Sequence, residues 1–172
     1  MATSSSVGGR EALAIYLNDH LTGATGGVEL AKRIADTQGS SAKAATFQRL
    51  ATEIDEDREA LVRIMEALDI RVDQVKVAAG WVGEKVGRLK LNGRLFSRSE
   101  LSSVIELEGL RLGVEGKVAG WRSLRAVAEI DHRVDAAQID GLIERAERQS
   151  DEIEELRIQA AATVFVAGAS GS

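Results

Sequence analysis

The chain has 172 residues, a formal net charge of −5, a pI near 5.2, 3% aromatic residues, and neither proline nor cysteine. The missing cysteines exclude disulfides, thiolate nucleophiles and cysteine-ligated metals. The acidic balance argues against nucleic acid as a partner, because binding phosphates calls for a basic face.

This length is enough for one domain with a sizeable core. Average usage would place about eight prolines in such a chain. Their absence suits long unbroken helices, since proline removes a backbone donor and clashes inside a helix. With so few aromatics, the core must be built from Leu, Ile, Val and Ala. The opening "MATSSSVGGRE" lacks the basic stretch and apolar run of a secretion signal, and there is no run of about 18 apolar residues. A cytoplasmic protein is expected. Residues 1–9 and 166–172 read as loose tails on a single domain, 10–165.

The first helix is predicted over about 10–37, where Leu13, Leu17, Leu21, Ala24, Val28, Ala31 and Ile34 recur every three or four residues. "TQGSS" ends it, with Gly39 placed as a C-terminal cap and Ser40 or Ser41 as the next N-cap. The second helix is predicted over about 42–68, and Asp57 falls on its apolar stripe between Ile54 and Leu61. Residues 70–98 then carry seven basic and two acidic side chains. They read as a shorter helix over about 73–89 followed by an Asn-Gly turn. A third long helix is predicted from Glu100 to about 127, and a fourth from about 136 to 164 with Asp135 as its cap. Strands lack both alternation and hairpin signals.

Gly109, Gly113, Gly116 and Gly120 form one stripe on the third helix. Each costs up to about 1 kcal/mol relative to alanine in a helix interior. Such a stripe predicts close approach by another backbone. The favoured partner is the connector helix, whose Gly80, Gly83 and Gly87 match it. The alternative is the first helix, with Gly23 and Gly27 and with Gly26 beside them.

Each long helix spans roughly 42 Å, and the connector is long enough to travel that distance. The predicted fold is therefore an all-α four-helix bundle. Two antiparallel pairs are joined by a crossover containing a shorter helix, which makes the second and third long helices parallel.

"YLNDHLTGATGGVELAKRIA" followed by "FQRLATEIDEDREALVRIM" resembles the first helix pair of divergent members of the ferritin-like superfamily. The resemblance covers residues 10–165 and implies ferritin-like topology. Di-iron members of that superfamily carry inward Glu residues and paired Glu-x-x-His motifs. Here Glu53 is followed three residues later by Glu56, and Glu144 by Glu147. Both motifs are absent, which counts against ferroxidase and oxygenase chemistry. A reduced site would draw on Asp19, His20, Glu53, Asp57 and a third-helix glutamate, Glu108 or Glu115. Such oxygen-rich ligands with one imidazole suit Fe, Mn or Ca. The competing reading pairs these carboxylates with arginines and leaves the protein without a cofactor.

Other chemistry has little support. "GWVGEKVG" has the wrong spacing for a phosphate-binding loop. Asp131 and His132 are sequence neighbours with no signposted nucleophile. The apolar and basic side chains of 75–98 suggest a peripheral contact with an anionic membrane surface. The leading expectation is a non-catalytic helical bundle with a structural or protein-interaction role, through a protein partner or self-association. A ferritin-like metal binder and a membrane-surface binder are the alternatives.

Overall fold

The computed structural model describes residues 4–39, 41–73 and 100–166. They form four helices and no strand: α1 (Ser4–Asp36), α2 (Ala44–Ala67), α3 (Glu100–Ala128) and α4 (Ala136–Val166). The expected connector helix over 73–89 (beyond Asp73), the Asn-Gly turn, Gly80, Gly83 and Gly87, and all of the basic segment 75–98 lie outside the described residues. None of the described helices is long and apolar enough to cross a membrane.

The long helices match their expected spans closely, with two differences. Residues 4–9, expected to be loose, are the opening turns of α1. Once the packed turns from Leu13 onward nucleate a helix, extension adds one hydrogen bond per residue, and Gly8 and Gly9 do not stop it. At the other junction, Ser41 does not cap α2. The N-cap is Lys43, whose side chain makes no capping bond. Ser41 uses its backbone instead: its N–H donates to Gln38 O at 3.0 Å and its carbonyl accepts from Ala44 N at 3.0 Å.

Two other ends close as their residues dictate. Gly39 has φ +54°, in the left-handed region that glycine enters without strain. Asp135 Oδ1 accepts from Ala137 N at 2.9 Å and from Gln138 N at 3.4 Å, so this side chain caps α4 as expected. After α2, Asp69 N–H donates to Glu66 O at 3.0 Å and Ile70 N–H to Met65 O at 2.8 Å. This is a Schellman closure, with Asp69 at φ +54° in the place glycine usually takes.

The side-chain pairings fix the helix directions. Lys32 meets Asp55 and Thr25 meets Arg58, so α1 and α2 are antiparallel. Arg111 meets Glu154 and Arg125 meets Asp140, so α3 and α4 are antiparallel. Between the pairs, Tyr16 meets Ser123 and Arg33 meets Glu106 across α1 and α3. Arg49 meets Glu152 and Arg145 meets Glu56 across α2 and α4. Every neighbour is therefore antiparallel, while α2 and α3 run parallel on one diagonal.

The core is aliphatic, as the composition requires. Leu17, Leu21, Leu50, Met65, Leu124, Ile139 and Ile153 are among its fully buried side chains. Each such burial stabilises the fold by about 1.5–3 kcal/mol. Trp121 is the one indole among the described residues, and it too is buried.

Candidate functional site

The bundle centre holds a buried charge cluster. Asp57 lies on the apolar stripe of α2, so folding carries its carboxylate inward, to 1% exposure. It meets two cations there. Lys117 of α3 donates to Asp57 Oδ2 at 2.6 Å and to Gln149 Oε1 at 2.5 Å. Arg145 of α4 donates through Nη2 to Asp57 Oδ1 and through Nη1 to Glu56 Oε2 at 2.9 Å. Gln149, also 1% exposed, passes its Nε2–H to Glu53 Oε2 at 3.1 Å, and Arg49 Nη1 reaches Glu53 Oε1 at 3.0 Å.

Burial of a charge without a partner is costly, and pairing offsets the cost. Burial pushes the Lys117 ammonium below its ordinary pKa, against the pull of Asp57. Burial alone would push Glu53 up, but hydrogen bonds from Gln149 and Arg49 outweigh it and hold the carboxyl below its usual value. The cluster is thus internally neutralised. Among the described residues the acids and bases of the cluster engage one another.

A cavity of ≈ 470 Å³ lies above this cluster, between α1 and α3. Gly23 and Gly27 line one wall and Gly109, Gly113 and Gly116 the other. The α3 stripe therefore faces α1 among the described residues. With α1 no close backbone contact is made along its middle, and the favoured partner, the connector helix, lies outside the described residues. A Cβ at Gly113 or Gly116 would meet nothing within 4 Å, and one at Gly109 would meet only Leu30 Cδ2, at 3.8 Å. Gly120 alone is tight, against the His20 ring. Among the described residues the glycines line a space between α1 and α3.

Of the residues expected as metal ligands, Asp19, His20 and Asp57 line this cavity, and Glu53 and Glu108 do not. Glu53 and Asp57 share the central cluster. His20 is half-buried on α1, with its ring centroid 4.4 Å from that of Tyr16, and burial lowers its pKa from 6.5. Asp19 is exposed beside it and Glu108 is exposed on α3. Glu115 accepts a hydrogen bond from Ser150. Among the described residues no group of three or more His, Asp or Glu side chains suited to a metal forms. Asp131 binds Arg133 through both oxygens, which lowers its pKa to about 2, and His132 is exposed.

No family model, curated protein or solved structure matches the chain. The geometry therefore carries the functional argument by itself. Sequence reasoning found Asp57 but missed Lys117, Arg145 and Gln149. A signal was there: Gln149 falls between Ala146 and Ile153 on an otherwise apolar stripe, and Lys117 sits between Val114 and Val118.

Proposed function

We propose that this chain is a non-catalytic helical bundle that docks another protein chain on the outer face of α3. The observation behind this reading is a strip of large apolar side chains on the side opposite the core. Leu101, Ile105 and Leu112 are 44%, 54% and 68% exposed, and their spacing places them on one narrow face of the helix. A helix that is apolar on both sides is ordinarily covered on both. The self-contained charges of the bundle centre support a role outside catalysis. The test is a photo-crosslinking amino acid at position 112, with position 148 as an exposed control on α4. Crosslinks to protein from 112 alone are expected, and mass spectrometry would distinguish a second copy from another chain. Equal or absent crosslinking at the two positions would refute the reading.

A second reading concerns ancestry. The parallel α2 and α3, with antiparallel neighbours all round, favour a ferritin-like topology. In this reading Lys117 and Arg145 supply the positive charge that a metal supplies in di-iron relatives of that fold. Elemental analysis of protein purified without chelator is the test. Near-stoichiometric iron or manganese that is lost in Asp57→Ala would favour a ferritin-like metal protein instead. A membrane-surface role for 75–98 would show as co-sedimentation with anionic vesicles, lost at high salt.

A further inference from the structure

We propose that the cavity between α1 and α3 binds a small amphiphile, a monomeric fatty acid of medium chain length, with its carboxylate at Arg58. This is independent of docking on the outer face of α3. The volume, ≈ 470 Å³, falls within the range of small-molecule sites, and the glycine walls are apolar and free of side chains. The occupant's charge follows from the lining. Arg58 lines the cavity, and its only hydrogen bond to a described residue is from Nε to Thr25 Oγ1, at 3.4 Å. No carboxylate among the described residues lies within 4.0 Å of its guanidinium, whereas Lys117 on the same lining already has Asp57. The other acid of the lining, Asp19, is six residues before Thr25, roughly 9 Å along α1. An anionic head therefore finds a cation with no carboxylate partner among the described residues, and an apolar tail finds the glycine slot. Trp121 also lines the cavity, and its buried indole N–H has no acceptor among the described residues.

Trp121 supplies the readout. The chain has two tryptophans, so Trp81→Phe leaves Trp121 as the sole reporter. Decanoate, titrated below its micellar concentration, is expected to change the Trp121 emission saturably. Decyltrimethylammonium, with the same tail and the opposite charge, is expected to bind about tenfold more weakly or not at all. Arg58→Met should weaken decanoate by about tenfold, the scale of one charged hydrogen bond. Gly113→Leu should abolish binding without lowering the melting temperature, because a Cβ there meets nothing within 4 Å among the described residues. Gly116→Val offers the same test by a second route. The proposal is overturned by a non-saturating titration, by equal binding of the cationic amphiphile, or by unchanged affinity in the filled variants. It is also overturned if wild type fails to bind and Gly113→Leu lowers the melting temperature, since the space would then be used by the chain's own segment 74–99.

Discussion

The imidazole of His20 occupies the space that a side chain at position 120 would need: a Cβ on Gly120 would stand 3.0 Å from His20 Nδ1 and 3.1 Å from Cε1. On one side the ring is held by Tyr16, whose ring packs against it at a tilt of 60°. Gly120→Ala should therefore destabilise the protein by about 1–2 kcal/mol, the cost of overpacking less the gain in helix propensity. Urea denaturation measures this. Adding His20→Ala should remove the penalty of the Gly120 change, and a penalty that survives in the double variant would refute the contact.

Gly113 and Gly116 should behave in the opposite way. Alanine at either meets no described residue within 4 Å and removes glycine's entropic cost. Each substitution should raise stability by about 0.5–1 kcal/mol. The close backbone contact expected from the stripe alone would reverse that sign, so a lower melting temperature for Gly113→Ala would restore it.

Asp57→Asn should be the most damaging single polar change. It leaves Lys117 and Arg145 facing each other across a neutral amide in the bundle interior. Breaking a buried pair from one side costs about 3 kcal/mol or more. Lys117→Met should cost less, because Asp57 keeps Arg145. Equal losses in the two variants would show that Arg145 contributes little to holding the carboxylate.

The pH dependence has a definite sign at His20. Its folded pKa lies below 6.5 because burial disfavours the imidazolium. As pH falls below 6.5 the unfolded chain takes the proton first, so stability complete above 6.5 is lost down through the folded pKa. Wild type should lose more stability than His20→Gln between about pH 7.5 and pH 5. Parallel losses in the two proteins would assign the acid sensitivity to other groups.

The two helix starts offer a paired test. Asp135→Ala removes two hydrogen bonds to the first turn of α4 and should cost about 1 kcal/mol. Ser41→Ala should stay within about 0.5 kcal/mol, since its side chain does not cap α2. Comparable losses at the two positions would mean that the Ser41 hydroxyl supports the turn in solution.

These contrasts show where local sequence stops being informative. The four helices were legible because apolar spacing is a property of one helix at a time, and Leu17, Leu50, Leu124 and Ile153 carry it without reference to any partner. Asp57 was legible for the same reason, as a charge on an apolar stripe. Its partners were not, because Lys117 and Arg145 reach it across the bundle from sequence separations of 60 and 88. The glycine stripe was visible, but its meaning depended on the facing helix. Gly23 and Gly27 stand opposite it, and two bare walls leave a gap where one bare wall and a ridge would have closed it.

The antiparallel arrangement also orders the assembly of the molecule in time. Polar pairs between the two helices of one hairpin join residues 15 to 43 apart, as in Arg125–Asp140 and Arg111–Glu154, whereas those between hairpins join residues 60 to 107 apart, as in Lys117–Asp57 and Tyr16–Ser123. Closing the longer loops costs more chain entropy and comes later. The expected sequence is two hairpins forming separately and then meeting, with protection from hydrogen exchange gained first beside the turns at Gly39 and Asp131. The charge cluster draws on both hairpins, so Asp57 finds its cations only in that last step, and the central salt bridges act as the lock on a finished bundle rather than as its seed.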